Sequence, residues 1–159
     1  MNLLSPNSRM CFAEWYRLRA KDSFAPHISH FRENVNPLIM AMWVGKRVGE
    51  SEATFHIGVD AVAALPEIIF QEGGWYSEAD LPMAQRAFQL AARGRHVCVA
   101  RSYWSAAMGS IEILHLPVID DEDRASTYVF SSITQLTTAE APSPFGRLVM
   151  ETLDLTSLV

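Results

Sequence analysis

Apolar positions recur at helical spacing near the start of the chain. Cys11, Phe12, Trp15, Tyr16 and Leu18 form one face, and Asn7 or Ser8 can accept hydrogen bonds from the first free amides. Arg17, Arg19 and Lys21 gather at the far end, where positive charge complements the helix dipole. Asp22 to Asn36 has no sustained periodicity and reads as a connecting loop. Pro37 to Lys46 is apolar on both alternating faces, the pattern of a strand with neighbours on both sides. Gly45 to Ser51 is polar with two glycines and Thr54 to Asp60 alternates again, so a hairpin is predicted there. Ala61 to Tyr76 supports only short helical turns, because Pro66 and Gly73-Gly74 break anything longer. A second helix is predicted over Leu81 to Arg93, with Ser77 and Asp80 as competing caps, Pro82 in the first turn and Gly94 as its stop. Three strands follow, His96 to Trp104, Ile111 to Ile119 and Ser126 to Leu136, joined by short turns that favour antiparallel hairpins. Ser143-Pro144 opens a last predicted helix carrying Phe145, Leu148, Val149 and Leu153.

The order helix, two strands, helical crossover, three strands, helix predicts an α+β fold. Its expected form is a five-stranded antiparallel sheet with helices on one face, an N-terminal amphipathic helix and a C-terminal helix. A chain of 159 residues is expected to make one domain, with helix and loop over 1–36, sheet core over 37–136 and the last helix over 143–159. With 49% hydrophobic and 19% charged residues the chain can build a core, and disorder as its main state is excluded. A net charge of -5 has the wrong sign for holding nucleic acid or an anionic membrane through a general field. No apolar run approaches the ~20 residues of a spanning helix. Two cysteines make no disulfide framework and no charged leader with an apolar signal segment precedes the fold, so a cytoplasmic protein is expected.

Several residues, taken with that order of elements, carry a family likeness. They are Trp15, Leu18 and Arg19 in the opening helix, the helix that ends at Gly94 just before a strand, and the run Glu112-Ile113-Leu114-His115-Leu116-Pro117-Val118-Ile119-Asp120, followed by a strand with Tyr128, Val129 and Phe130. Together they resemble the PAS domain family, in particular small bacterial stand-alone PAS-like proteins. The resemblance implies a five-stranded antiparallel sheet flanked by helices, used in signal transduction to sense small molecules or to pair with proteins. The cysteine motif of the flavin-binding light sensors and the helix histidine of the haem-binding members have no counterpart here. No cofactor is therefore expected.

Candidate chemistry is sparse. Glu52, His56 and Asp60 fall four apart, which on a strand sets them on one face, where His56 and Asp60 could ligate a metal or share a proton; the plainer reading is a polar sheet face. His27 and His30 lie in a polar stretch and need no ligand. Cys11 and Cys98 sit among apolar residues and read as small buried hydrophobes without thiolate character. Nucleophile-elbow and phosphate-cradling glycine patterns are absent, and Asp120 to Asp123 reads as a solvated turn. On the third strand Arg101 and Tyr103 share a face with Val97 and Val99; on the fourth, His115 shares one with Ile111 and Ile113. If these faces look inward, Trp43, His56, Arg101, Tyr103 and His115 are the polar and aromatic fixing groups of a mostly apolar ligand pocket; otherwise they face solvent or a partner. Phe12, Trp15 and Tyr16 offer an apolar helix face for a homodimer or a signalling partner.

These features favour a non-enzymatic regulatory module that binds a small ligand or a partner protein. Two alternatives stay open: a small enzyme using His56 with Asp60, or His115, as acid or base, and a ligand-free interaction module.

Overall fold

A computed structural model of the protein describes residues 1–21, 23–48, 53–58, 60, 82–105, 109–121, 127–140 and 149–158. Helix α1 covers Pro6–Leu18 and buries Ser8, Cys11, Trp15 and Leu18, three and four residues apart. Its cap is Ser5 rather than Asn7 or Ser8. The Ser5 hydroxyl accepts the amides of Asn7 (3.1 Å) and Ser8 (3.4 Å), and Pro6 takes the first position, where its missing N–H costs nothing.

The stretch expected as a loop before the sheet contains a second helix, α2, over Ile28–Asn34. It buries only Ile28 and Phe31, and seven residues are too few for a period of 3.6 to register in the sequence. The first half of the strand predicted over Pro37 to Lys46 is also helical, α3 over Pro37–Met40. Asn36 Oδ1 accepts the Leu38 amide at 2.9 Å, so a cap followed by proline overrides the apolar run. Strand β1 is confined to Trp43–Val48 and β2 to Ala53–Ile57, which leaves Asp60 beyond the strand. Just after β2, the Gly58 amide donates to the Trp43 carbonyl at 2.8 Å. A Cβ at Gly58 would lie 2.1 Å from the Ala41 carbonyl oxygen, so a side chain has no room there.

Helix α4 (Pro82–Ala92) stops short of Gly94, whose φ of +76° suits glycine, and the chain enters β3 (His96–Ser105) at once. Strands β4 (Gly109–Ile119) and β5 (Thr127–Gln135) pair from Ile111↔Gln135 to Ile119↔Thr127. β1 then lies antiparallel on the far side of β5, Trp43 opposite Ser132. All five expected strands are present in one antiparallel sheet.

The predicted C-terminal helix is not. Val149–Asp154 forms a sixth strand, β6, paired antiparallel with β3, and a 3-10 turn over Leu155–Leu158 closes the chain; the predicted start at Ser143-Pro144 lies outside the described residues. The order across the sheet is β2-β1-β5-β4-β3-β6. Phe145, Val149 and Leu153 are four apart, a spacing that fits a strand face as well as a helix face.

Helices also cover both sides of the sheet, not one. Trp15, Phe31, Trp43, Val97, Val99, Leu114, Leu116 and Phe130 pack together under α1 to α3. Val44, Ala87, Phe88, Ala91, Cys98, Ala100, Ile111, Ile113 and Val129 pack together under α4. The alternation of β3, β4 and β5 therefore sorts two apolar faces, and each buried polar side chain belongs to one of them.

Candidate functional site

Arg101 and His115 fall on opposite faces. In β3 the odd positions Val97, Val99 and Arg101 point under α1; in β4 it is the even positions Glu112, Leu114 and Leu116 that do. Arg101 (4% exposed) and Glu112 (fully buried) are cross-strand partners, with Arg101 Nε donating to Glu112 Oε2 at 2.7 Å. A second nitrogen donates to Glu151 on β6 at 2.7 Å, and a third donates to the Asn2 carbonyl. Glu112 in turn accepts the amides of Leu4 and Ser5 at 3.0 Å each, and Glu151 accepts that of Asn2 at 2.9 Å. The hydrogen bond donated by the Asn2 amide, and after it the Arg101 guanidinium, hold the Glu151 carboxyl below its ordinary value. Arg101 is thus committed to a network that straps residues 2–5 across three strands and presents Ser5 as the cap of α1.

Trp43 is fully buried on this same face, stacked on Phe31 (centroids 5.3 Å apart) and tilted against Phe130 (5.5 Å). It is a core residue. Trp15 is fully buried too, its Nε1 donating to the Pro117 carbonyl at 2.7 Å, and Phe12 packs partly buried beside it. The expected exposed face of Phe12, Trp15 and Tyr16 is therefore corrected. α1 buries it against the sheet, and Tyr16 alone of the three is largely exposed, at 46%.

The other face carries the polar constellation that fits a binding site best. β1, β5, β4 and β3 are aligned there so that Val44, Ser131, His115 and Cys98 form one row across the sheet. His115 is fully buried, and its Nδ1 shares a hydrogen bond of 2.7 Å with the buried Ser131 hydroxyl. The edge of the Phe88 ring from α4 meets the imidazole at 5.6 Å and 85°. Lys46, 8% exposed, sets its ammonium 6.0 Å from the centroid of that ring. Around them Ala87, Ala91, Ala100 and Val129 are apolar and buried. A lysine, a histidine and a serine thus converge on an apolar wall, where burial raises the cost of charge and strengthens every hydrogen bond.

The side chains of His56 and Tyr103 lie outside the described residues; their backbones pair with Gly45 in β1 and Ser110 in β4. Glu52 lies outside them as well. Asp60 is exposed, its amide donating to the Ala41 carbonyl at 3.0 Å, whereas His115 is fully buried, so these two share no cleft. Burial pushes the Cys11 thiol up to about 11 and the Cys98 thiol up to about 12, against smaller opposing hydrogen bonds, which leaves neither a ready nucleophile. Asp120 and Asp121 are not a purely solvated turn: Asp120 pairs with Arg47 at 3.6 Å, and Asp121 accepts the Ser29 amide at 3.0 Å and sits 3.4 Å from His27. Among the described residues no three histidine, cysteine or acidic side chains come together as metal ligands, and no helix is long and apolar enough to cross a membrane.

Sequence reasoning missed Lys46, Ser131 and Phe88. The signal for Ser131 was present, since two adjacent serines interrupt an otherwise apolar strand. Lys46 was hidden because it closes an apolar run and reads as the start of a turn. No family model matches the chain, and neither the curated proteins nor the solved structures contain a match to it.

Proposed function

We propose that the chain is a PAS-like regulatory module that holds a small ligand on the α4 face of its sheet and signals occupancy by contact with a partner. The observation that carries this reading is the His115–Ser131 pair with Lys46 on an otherwise apolar wall. That composition, mostly apolar with a few convergent polar groups, is what fixes the orientation of a small molecule. The hairpin, helical crossover and three-strand meander agree with the PAS-like architecture. A ligand there acts only by favouring one arrangement of α4 over another, since equal affinity for both would shift nothing.

The test is native mass spectrometry of the freshly purified protein beside the same sample denatured, repeated on the double variant His115→Leu/Ser131→Ala. An added non-covalent mass is expected on the native wild type and not on the variant. The bare chain mass for each protein, with nothing added on either, would contradict the reading and favour a ligand-free pairing module.

A further inference from the structure

At one end of the sheet, away from His115 and Lys46, an open cleft of about 350 Å³ lies between the segment before α2 and the turn after α4. Its lining includes three basic side chains, His27, Arg93 and Arg95, with Ser23, Thr127 and the ring of Phe24 between them. No acidic side chain lines it among the described residues. In a chain with a net charge of -5, such a concentration of donors is local and specific.

The walls are fixed by backbone bonds. The Ile119 amide donates to the Pro26 carbonyl at 2.9 Å and His27 bridges to Ile119, which seats the first wall on the end of β4. The Gly94 amide donates to the Ala91 carbonyl at 2.8 Å, and the Leu155 amide to the Arg95 carbonyl at 3.0 Å, which seats the second. Gly94, at positive φ, turns the chain sharply between the two arginines.

Both arginines are exposed, and among the described residues neither guanidinium makes a hydrogen bond or an ion pair; that of Arg95 lies 5.8 Å from the centroid of the Phe24 ring. Of the carboxylates nearby, Asp121 pairs with His27 of the lining and accepts the Ser29 amide, and Asp154 accepts from Thr156 and feels the charge of Arg95 without hydrogen-bonding it. Arg93 alone would be explained as a charge complementing the end of α4. Arg95 lies beyond that end, and two guanidiniums on one wall of a preformed cleft, neither hydrogen-bonded among the described residues, offer the planar forks that grip oxyanions bidentately.

We infer that this cleft is a second binding site, for a small oxyanion of the phosphate or carboxylate class, held by Arg93 and Arg95 with the Thr127 hydroxyl beside them; the Ser23 hydroxyl is already donated to the Ala25 carbonyl at 2.6 Å. It stands independently of the His115 site and shares no residue with it.

Calorimetric titration with inorganic pyrophosphate and, separately, citrate at physiological ionic strength tests it. The wild type is expected to bind at least one of them saturably, and the tighter of the two identifies the class. The double variant Arg93→Gln/Arg95→Gln should weaken that binding at least about tenfold, the loss expected for charge-assisted hydrogen bonds. The control Arg86→Gln, which removes one positive charge at an exposed position on α4 outside the cleft, should stay within about twofold of the wild type. Absence of saturable binding by the wild type, wild-type affinity in the double variant, or an equal loss in the control would each overturn the inference. Matching thermal unfolding of the three proteins shows that the fold is not the cause.

Discussion

The two faces of the sheet both bury polar side chains, but they use them differently. Under α1, Glu112 joins Arg101 to the amides of Leu4 and Ser5, so its charge connects parts of the chain that no β-ladder links. Under α4, the His115–Ser131 bond joins two residues that the ladder between β4 and β5 already holds opposite each other. The first network is required by the fold. The second adds little to a pairing already made, and a costly group that the fold does not need is where function is expected. The side chains around them follow the same division. Large aromatics fill the α1 face, whereas alanines and a cysteine let α4 approach closely around the buried His115, Lys46 and Phe88.

The largest effect expected is from Trp15→Asp. A carboxylate placed at a fully buried indole site has no partner there, and the cost, comparable to the whole stability of a domain, should remove cooperative unfolding as followed by circular dichroism. Survival of the fold would mean that the α1 face is not core. Next is Glu112→Leu, which removes the buried partner of Arg101, leaving it only the partly exposed Glu151 and the Asn2 carbonyl, and frees two amides; a loss of about 3 kcal/mol or more in urea unfolding is expected. A near-neutral result would erase the distinction between the faces.

A smaller effect concerns pH. The bond from Arg17 holds the Glu14 carboxyl below its ordinary value of 4.5, as the Asn2 amide does for Glu151. Because the folded values are depressed, the stabilisation is present above the unfolded value and is lost as pH falls through the folded one. Thermal midpoints should therefore fall on acidification below about pH 4.5, and less steeply in Glu14→Gln. Smallest is Tyr16→Ala, whose half-exposed ring meets Phe12 and Arg19 and should change stability by no more than about 1 kcal/mol. A shift in assembly state in that variant, read by light scattering, would show that the remaining exposed part of α1 is an interface.

The sheet was largely legible because β3, β4 and β5 are bounded by clear turns and keep long apolar runs. Alternation also placed Arg101 with Val99 and His115 with Ile113 correctly. It could not say which face was covered, and in fact both are, so residues expected to converge were set apart by the thickness of the sheet. Short helices failed for a related reason: α3 is specified by its Asn36 cap and α2, which lacks a cap from its own N-cap side chain, by contacts to distant residues such as Asp121, which a local period does not record. The sixth strand was misread because a spacing of four satisfies either period. The cleft between Phe24 and Arg95 was illegible, since those two segments are seated on distant strand ends, at Ile119 and Leu155.

The most direct test of the division between the faces is urea unfolding of His115→Leu/Ser131→Ala. Replacing both members of a redundant polar pair with apolar groups should leave stability within about 1 kcal/mol of the wild type, or raise it. A loss of about 3 kcal/mol or more would place this pair beside Arg101 and Glu112 as part of the framework, and would contradict the account.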